Sequence, residues 1–136
     1  MKIFICASKY NYHHINKIAM ELKKAGHILT FPNLYHDPFY EERVKKISYK
    51  KHGQVKRKYL KLQAKKVEQN DAVFVINRDK GKQKNYIGGA TFLEMYKAFE
   101  LKKKIFLLNP IPKGILEDEI IGFNPTIING DLNLIK

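Results

Sequence analysis

The segment Gly88-Gly89-Ala90-Thr91-Phe92-Leu93-Glu94 holds the residues best suited by type and spacing to chemistry. Paired glycines let a backbone turn tightly and approach a ligand. Thr91 and Glu94 then open a helical pattern. Thr-x-x-Glu is also a capping box, with Thr91 at the N-cap and Glu94 at the third helical position. A helix N-terminus favours an ionised carboxylate, the state in which a carboxylate attacks an electrophilic carbon. Spacing alone leaves both roles open for Glu94. Other motifs are missing. There is no G-x-x-x-x-G-K-[ST] phosphate loop, and Gly88-Gly89 follows the third apolar run, not the first, so a dinucleotide fingerprint is not supported. Neither CxxC nor HExxH occurs. His13-His14 are adjacent, with His36 and His52 elsewhere, a poor spacing for a metal. No metal or cofactor is expected.

These residues need a scaffold, and two alternating periodicities supply one. Ile3–Ala7 is a short apolar run with strand character. Ile15, Ile18, Ala19 and Leu22 recur at helical spacing and stop at Gly26. His27–Phe31 reads as a second strand. Asn33–Tyr40 is a loop rich in Tyr, His, Asp and Pro. A basic helix follows, with Val55, Tyr59 and Leu62 on one stripe and Leu60, Ala64 and Val67 beside it; Gly53 is expected to separate it from a shorter helix. Ala72–Ile76 is continuously apolar, as a strand buried on both faces would be. Phe92, Met95, Tyr96 and Phe99 mark the next helix. Ile105–Leu108, a short helix around Leu116–Ile121 and a strand near Thr126–Ile128 complete the chain. Strands alternating with helices imply parallel pairing through right-handed crossovers. Five such strands fit a single-domain, doubly wound, flavodoxin-like α/β sheet over residues 1–136. Ligands of such sheets bind beyond the carboxyl ends of strands where the strand order reverses. That point falls between the first and third strands, at Ala7-Ser8-Lys9-Tyr10-Asn11 and at the loop from Asn77 to Gly89.

Composition narrows the function classes. No apolar run approaches the ~20 residues that span a bilayer, and Met1–Ala7 reads as the first strand rather than a leader. The single cysteine, Cys6, excludes an internal disulfide and suits a reducing cytoplasm. Inside an apolar run it reads as a small buried residue. The net charge is +13. Between Glu41 and Lys66 there are eleven Lys/Arg against two acids. Such a surface attracts phosphates. Lysine outnumbers arginine 23 to 3, however, and phosphate clamps favour Arg. Specific nucleic-acid binding is not expected.

The chain resembles the nucleoside 2-deoxyribosyltransferase-like superfamily, which includes deoxynucleoside monophosphate N-glycosidases. Three stretches in order carry the resemblance: Lys2-Ile3-Phe4-Ile5-Cys6-Ala7-Ser8; Gln69-Asn70-Asp71-Ala72-Val73-Phe74-Val75; and Gly89-Ala90-Thr91-Phe92-Leu93-Glu94, followed by Ala98 and Lys102-Lys103-Lys104-Ile105. The resemblance implies that Glu94 is a nucleophile attacking the anomeric carbon, and that the protein assembles as a homodimer or higher symmetric oligomer. Two positions depart from the family pattern. The aspartate usual eight residues before Asp71 is Gln63, and the acid often found six residues before the nucleophile is Gly88. Glutamine can hydrogen-bond a base but cannot protonate it. Asp79, Tyr86, Tyr10 and His13 are the alternative proton donors. Asp71, at the amino end of its strand, is assigned a structural role.

The expected activity is cleavage or exchange at the N-glycosidic bond of a nucleoside or nucleotide. Glu94 is the expected catalytic residue. Ser8, Lys9, Tyr10, Gln63, Asn77, Tyr86, Gly88, Gly89 and Thr91 are the expected substrate contacts, with Tyr10, Tyr35 and Tyr86 as candidates to stack on the base. The rival expectations are a catalytically reduced nucleotide sensor and a nucleic-acid binder using the Lys-rich helix.

Overall fold

The computed structural model describes residues 1–136. Five strands alternate with helices: β1 Lys2–Cys6, α1 Ile15–Lys24, β2 Ile28–Thr30, α2 Tyr40–Ile47, α3 Tyr49–Glu68, β3 Ala72–Val75, α4 Gly89–Glu100, β4 Lys104–Leu107, α5 Glu117–Phe123 and β5 Thr126–Ile127. All pair in parallel in the order β2-β1-β3-β4-β5. This is the expected doubly wound α/β sheet with β3 at its centre. No helix is long and apolar enough to cross a membrane.

The two faces of the sheet follow from side-chain alternation. Ile3, Ile5, Ala72, Phe74 and Phe106 point to one side, where α1 covers them with Ile15, Ile18, Ala19 and Leu22; Ile128 and Ile135 of the C-terminal segment complete that layer. Phe4, Cys6, Val73, Val75, Ile105 and Leu107 point to the other, against Val67 of α3, Met95 and Ala98 of α4, and Ile120 of α5. Burial on both faces explains why β1 and β3 read as unbroken apolar runs.

Gly53 does not divide the basic helix. An interior glycine costs about 1 kcal/mol relative to alanine, but α3 runs through it for twenty residues. The break falls at Ser48 instead, whose extended backbone and Oγ, accepting from the Lys51 N–H at 3.1 Å, cap α3. Asp71 stands at the amino end of β3, where Oδ2 accepts from the Lys2 N–H at 2.8 Å.

Candidate active site

β1 leads outward to β2 on one side, and β3 leads to β4 on the other. Their loops therefore separate and leave a crevice above their carboxyl ends. Asn11, almost fully buried, bridges the two loops by donating from Nδ2 to the Arg78 carbonyl at 3.2 Å. A cavity of about 390 Å³ occupies the crevice. Ser8, Lys9, Tyr10, Tyr86, Gly88, Gly89 and Thr91 line it, and so do Tyr12, Glu41, Glu42, Lys45, His52, Lys56 and Lys80. A recess of about 60 Å³ continues inward past Ala7, Tyr12, Glu41, Lys56 and Ala90, which line both spaces. Gln63 and Glu94 belong to the recess.

α4 begins three residues earlier than a capping box requires. Gly88 is its extended N-cap, no side chain caps it, and Thr91 is already its third residue. Glu94 lies on the second turn and makes no bond to the start of its own helix. The box is not formed, because Gly88 itself supplies the carbonyl that accepts from the Phe92 N–H at 2.9 Å. Neither glycine turns the chain through a left-handed backbone; Asn85, at φ 52°, does so nearby. A Cβ at Gly88 would stand 3.4 Å from the Tyr86 hydroxyl, in van der Waals contact with that ring. The space above Gly89 is open.

Glu94 is 6% exposed. Burial pushes its carboxyl up to about 8, against the opposing pull of the Cys6 thiol and the Lys66 charge. The N-terminal dipole expected to keep it ionised acts mainly on the first turn, and Glu94 lies beyond that turn. Burial therefore favours the protonated form of Glu94 in the free site. Lys66 is fixed by donating from Nζ to the Phe31 carbonyl at 2.7 Å. Cys6 is fully buried, and burial and the neighbouring Glu94 push its thiol well up. It is an inert, buried thiol beside Glu94. Tyr12 is raised by burial first and then by Glu94, Cys6 and Glu41.

The outer cavity has paired charges. Lys9 meets Glu42, and Lys56 meets Glu41. Lys80 stands 4.1 Å from the centre of the Tyr10 ring and 4.7 Å from that of Tyr86, so it already occupies a face of each ring expected to stack on a base. Glu42 Oε2 and His52 Nδ1 are buried without a protein hydrogen-bond partner.

Three expected contacts are placed differently. Asn77 is fully buried outside both cavities. Its Nδ2 donates to the Asn109 and Pro110 carbonyls at 3.0 and 3.1 Å, and its Oδ1 accepts from the Asn109 N–H at 2.9 Å. It ties the end of β3 to the end of β4. Tyr35 packs against Phe31 and Tyr12 rather than lining the cavity. Gln63 reaches the recess but donates from Nε2 to the Ala90 carbonyl at 3.2 Å, bracing α3 against the start of α4. Among the alternative proton donors, Tyr10 and Tyr86 reach only the outer cavity. His13 lines neither, and Asp79 is engaged by Lys84 and the Asn85 N–H.

Glu41, Lys56 and Tyr12 were not singled out from the sequence. Glu41 and Lys56 sit in a run whose charge reads as a solvated surface, and only the packing of α2 on α3 turns them inward. The one available signal was Glu41-Glu42 standing alone among eleven cations. Comparison of the chain with known protein families, with curated proteins and with solved structures finds no match.

Proposed function

We propose that the protein acts on the N-glycosidic bond of a nucleoside or nucleotide, by base transfer or hydrolysis, with Glu94 as the nucleophile. One observation carries this reading: a buried carboxyl that caps nothing faces a recess at the switch point of the sheet. The outer cavity has the size of a small-molecule site, and a sugar held there directs its anomeric carbon into the recess. Attack by Glu94 gives a covalent glycosyl intermediate, which water or a second base resolves. Ser8, Lys9 and the backbone of Gly88–Thr91 hold the sugar and any phosphate. The resemblance to nucleoside 2-deoxyribosyltransferases supports the same chemistry and a symmetric oligomer.

The test is a panel of nucleosides and their monophosphates, incubated with and without a free acceptor base and separated by chromatography. Free base alone identifies a hydrolase, and a swapped base identifies a transferase. A second reading, a nucleotide sensor with the same pocket, is favoured by the protonated state of Glu94 and the engagement of Gln63 with Ala90. Binding of these ligands with no turnover at any pH up to 9 supports it.

A further inference from the structure

Cleavage of an N-glycosidic bond by a carboxylate leaves one requirement unmet, a group that protonates the departing base and later deprotonates water. The two positions at which the resembling family carries extra acids are Gln63 and Gly88 here, and Gln63 is held by Ala90. The protonatable side chains lining the recess with Glu94 are Tyr12, Tyr59, Lys56 and Glu41. Tyr12 is pushed far from neutral pH by burial, and a tyrosine is a poor shuttle there. Lys56 is committed to Glu41. Glu41 is different. Its side chain is 13% exposed and lines both the outer cavity and the recess. It therefore borders the path between a bound base and the carbon that Glu94 attacks. Lys56 engages Oε2, and no protein group bonds Oε1.

We infer that Glu41 is the acid–base carboxyl of this site, supplied by α2 in place of the acids absent at Gln63 and Gly88. This rests on the N-glycosidic reading above. In the first step an oxygen of Glu94 bonds to the anomeric carbon as the carbon–nitrogen bond breaks. The bonding pair leaves with the base, whose nitrogen takes the proton from Glu41. In the second step Glu41 takes a proton from water. The water oxygen bonds to the anomeric carbon and Glu94 leaves as a carboxylate, so that base and sugar are the products. Burial of Glu94 favours a proton on its carboxyl in the free site, and that is the proton consumed first. Its transfer to Glu41 leaves one carboxylate ready to attack and one acid ready to donate.

The test compares the wild-type chain with Glu41→Gln on two substrates: guanosine monophosphate, ribo or deoxy as the wild type prefers, and its 7-methyl derivative. The 7-methylguanine base carries a positive charge and departs without a proton. Removal of a general acid costs roughly 100- to 10,000-fold. The expected result is a loss in that range on the ordinary nucleotide, with base release from the 7-methyl nucleotide in the first turnover kept within about tenfold. The glycosyl adduct on Glu94 should then accumulate and be visible by mass spectrometry of the intact chain. Retained release from the 7-methyl nucleotide also reports that the variant is folded. Equal losses on both substrates with an unchanged melting temperature, or no loss on either, overturn the role of Glu41 and leave that of Glu94 standing. If Glu41→Gln unfolds, Glu41→Asp is measured instead, and the same split between substrates is required of it. Wild-type protein that releases or exchanges base on no member of the nucleoside and monophosphate panel overturns the N-glycosidic reading and the role of Glu41 with it.

Discussion

Glu41 and Glu94 line one recess from helices that both pack on α3. Their surroundings differ. A lysine is paired with Glu41, whereas Glu94 is buried with its carboxyl raised. In the free site these surroundings favour the proton on Glu94 and the charge on Glu41, so the proposed roles require the proton to cross from Glu94 to Glu41 before attack.

Replacing Glu94 by Gln should abolish turnover and keep the fold. An amide oxygen is a far poorer nucleophile, so kcat should fall by at least about 1,000-fold. Glu94 caps no helix end, so the substitution carries no capping cost. Steady-state kinetics, isothermal titration with substrate and thermal melting check the three parts. Activity retained within about tenfold removes Glu94 as nucleophile.

Two pH dependences follow from the raised Glu94 carboxyl. Its folded value of about 8 lies above the ordinary 4.5, so the folded state holds a proton that the unfolded state has released. The stability it contributes is complete below about pH 4.5 and is lost as pH rises through about 8. Glu94→Gln removes this dependence and should exceed the wild type in stability above pH 8, by a margin of order a few kcal/mol. Denaturant melts at pH 5 and pH 9 measure it. Activity that uses one proton shared between Glu94 and Glu41 should persist below about pH 8 and fall as that proton is lost above it. Cys6, Lys66 and Tyr12 are coupled to Glu94 by charge, so the pH dependence belongs to the cluster. A flat rate profile between pH 6 and 9 contradicts it.

Asn77→Ala should behave as a stability variant. It strips the Asn109 N–H and two carbonyls of their partner beneath the site, at a cost of about 1–3 kcal/mol. KM should stay within about threefold of wild type if Asn77 touches no substrate. A tenfold rise in KM with an unchanged melting temperature would return it to the substrate contacts.

A dimer or larger symmetric assembly is expected by light scattering at micromolar concentration. Tyr35 of the tyrosine-rich Asn33–Tyr40 loop is packed internally. One cluster of exposed apolar side chains lies on α4, where Leu93, Tyr96 and Phe99 are each about half exposed and the two aromatics lean on Phe123. Tyr96→Lys should then lower the measured mass to that of one chain.

The cations on the outer side of α3, Lys50, Lys51, Arg57, Lys58, Lys61 and Lys65, are exposed and form no ion pair. Random-sequence DNA should nevertheless bind weakly and dissociate near physiological salt, as expected of lysine-rich surfaces without base contacts. Fluorescence anisotropy across a salt series checks it. Tight binding at physiological salt, abolished by replacing Lys56, Arg57 and Lys61, would favour a nucleic-acid role.

The sheet was legible because burial on both faces leaves a direct trace: β1 and β3 are apolar throughout, and α1 shows a clean helical stripe. Glu94 was legible through its glycines. Its protonation was not, because that depends on which side chains close over it from α3 and β1. Asn77 was misplaced for a related reason. A polar residue just after a central strand reads as a ligand contact, and only the approach of Asn109 shows that its hydrogen bonds are spent. Glu41 escaped notice because charge in a sequence carries no direction.

The cap at Ser48 has a consequence for how such a protein can change over generations. α3 starts from its own cap, and α2 contributes only Val44 to the buried residues. Apart from Tyr35, which packs on the α1-side layer, and Glu41, the stretch from Asn33 to Ile47 is therefore a replaceable panel set beside an independent frame. A lineage can rewrite that panel, and with it the shape and charge of what fits the crevice, while the two apolar layers that fold the chain stay untouched.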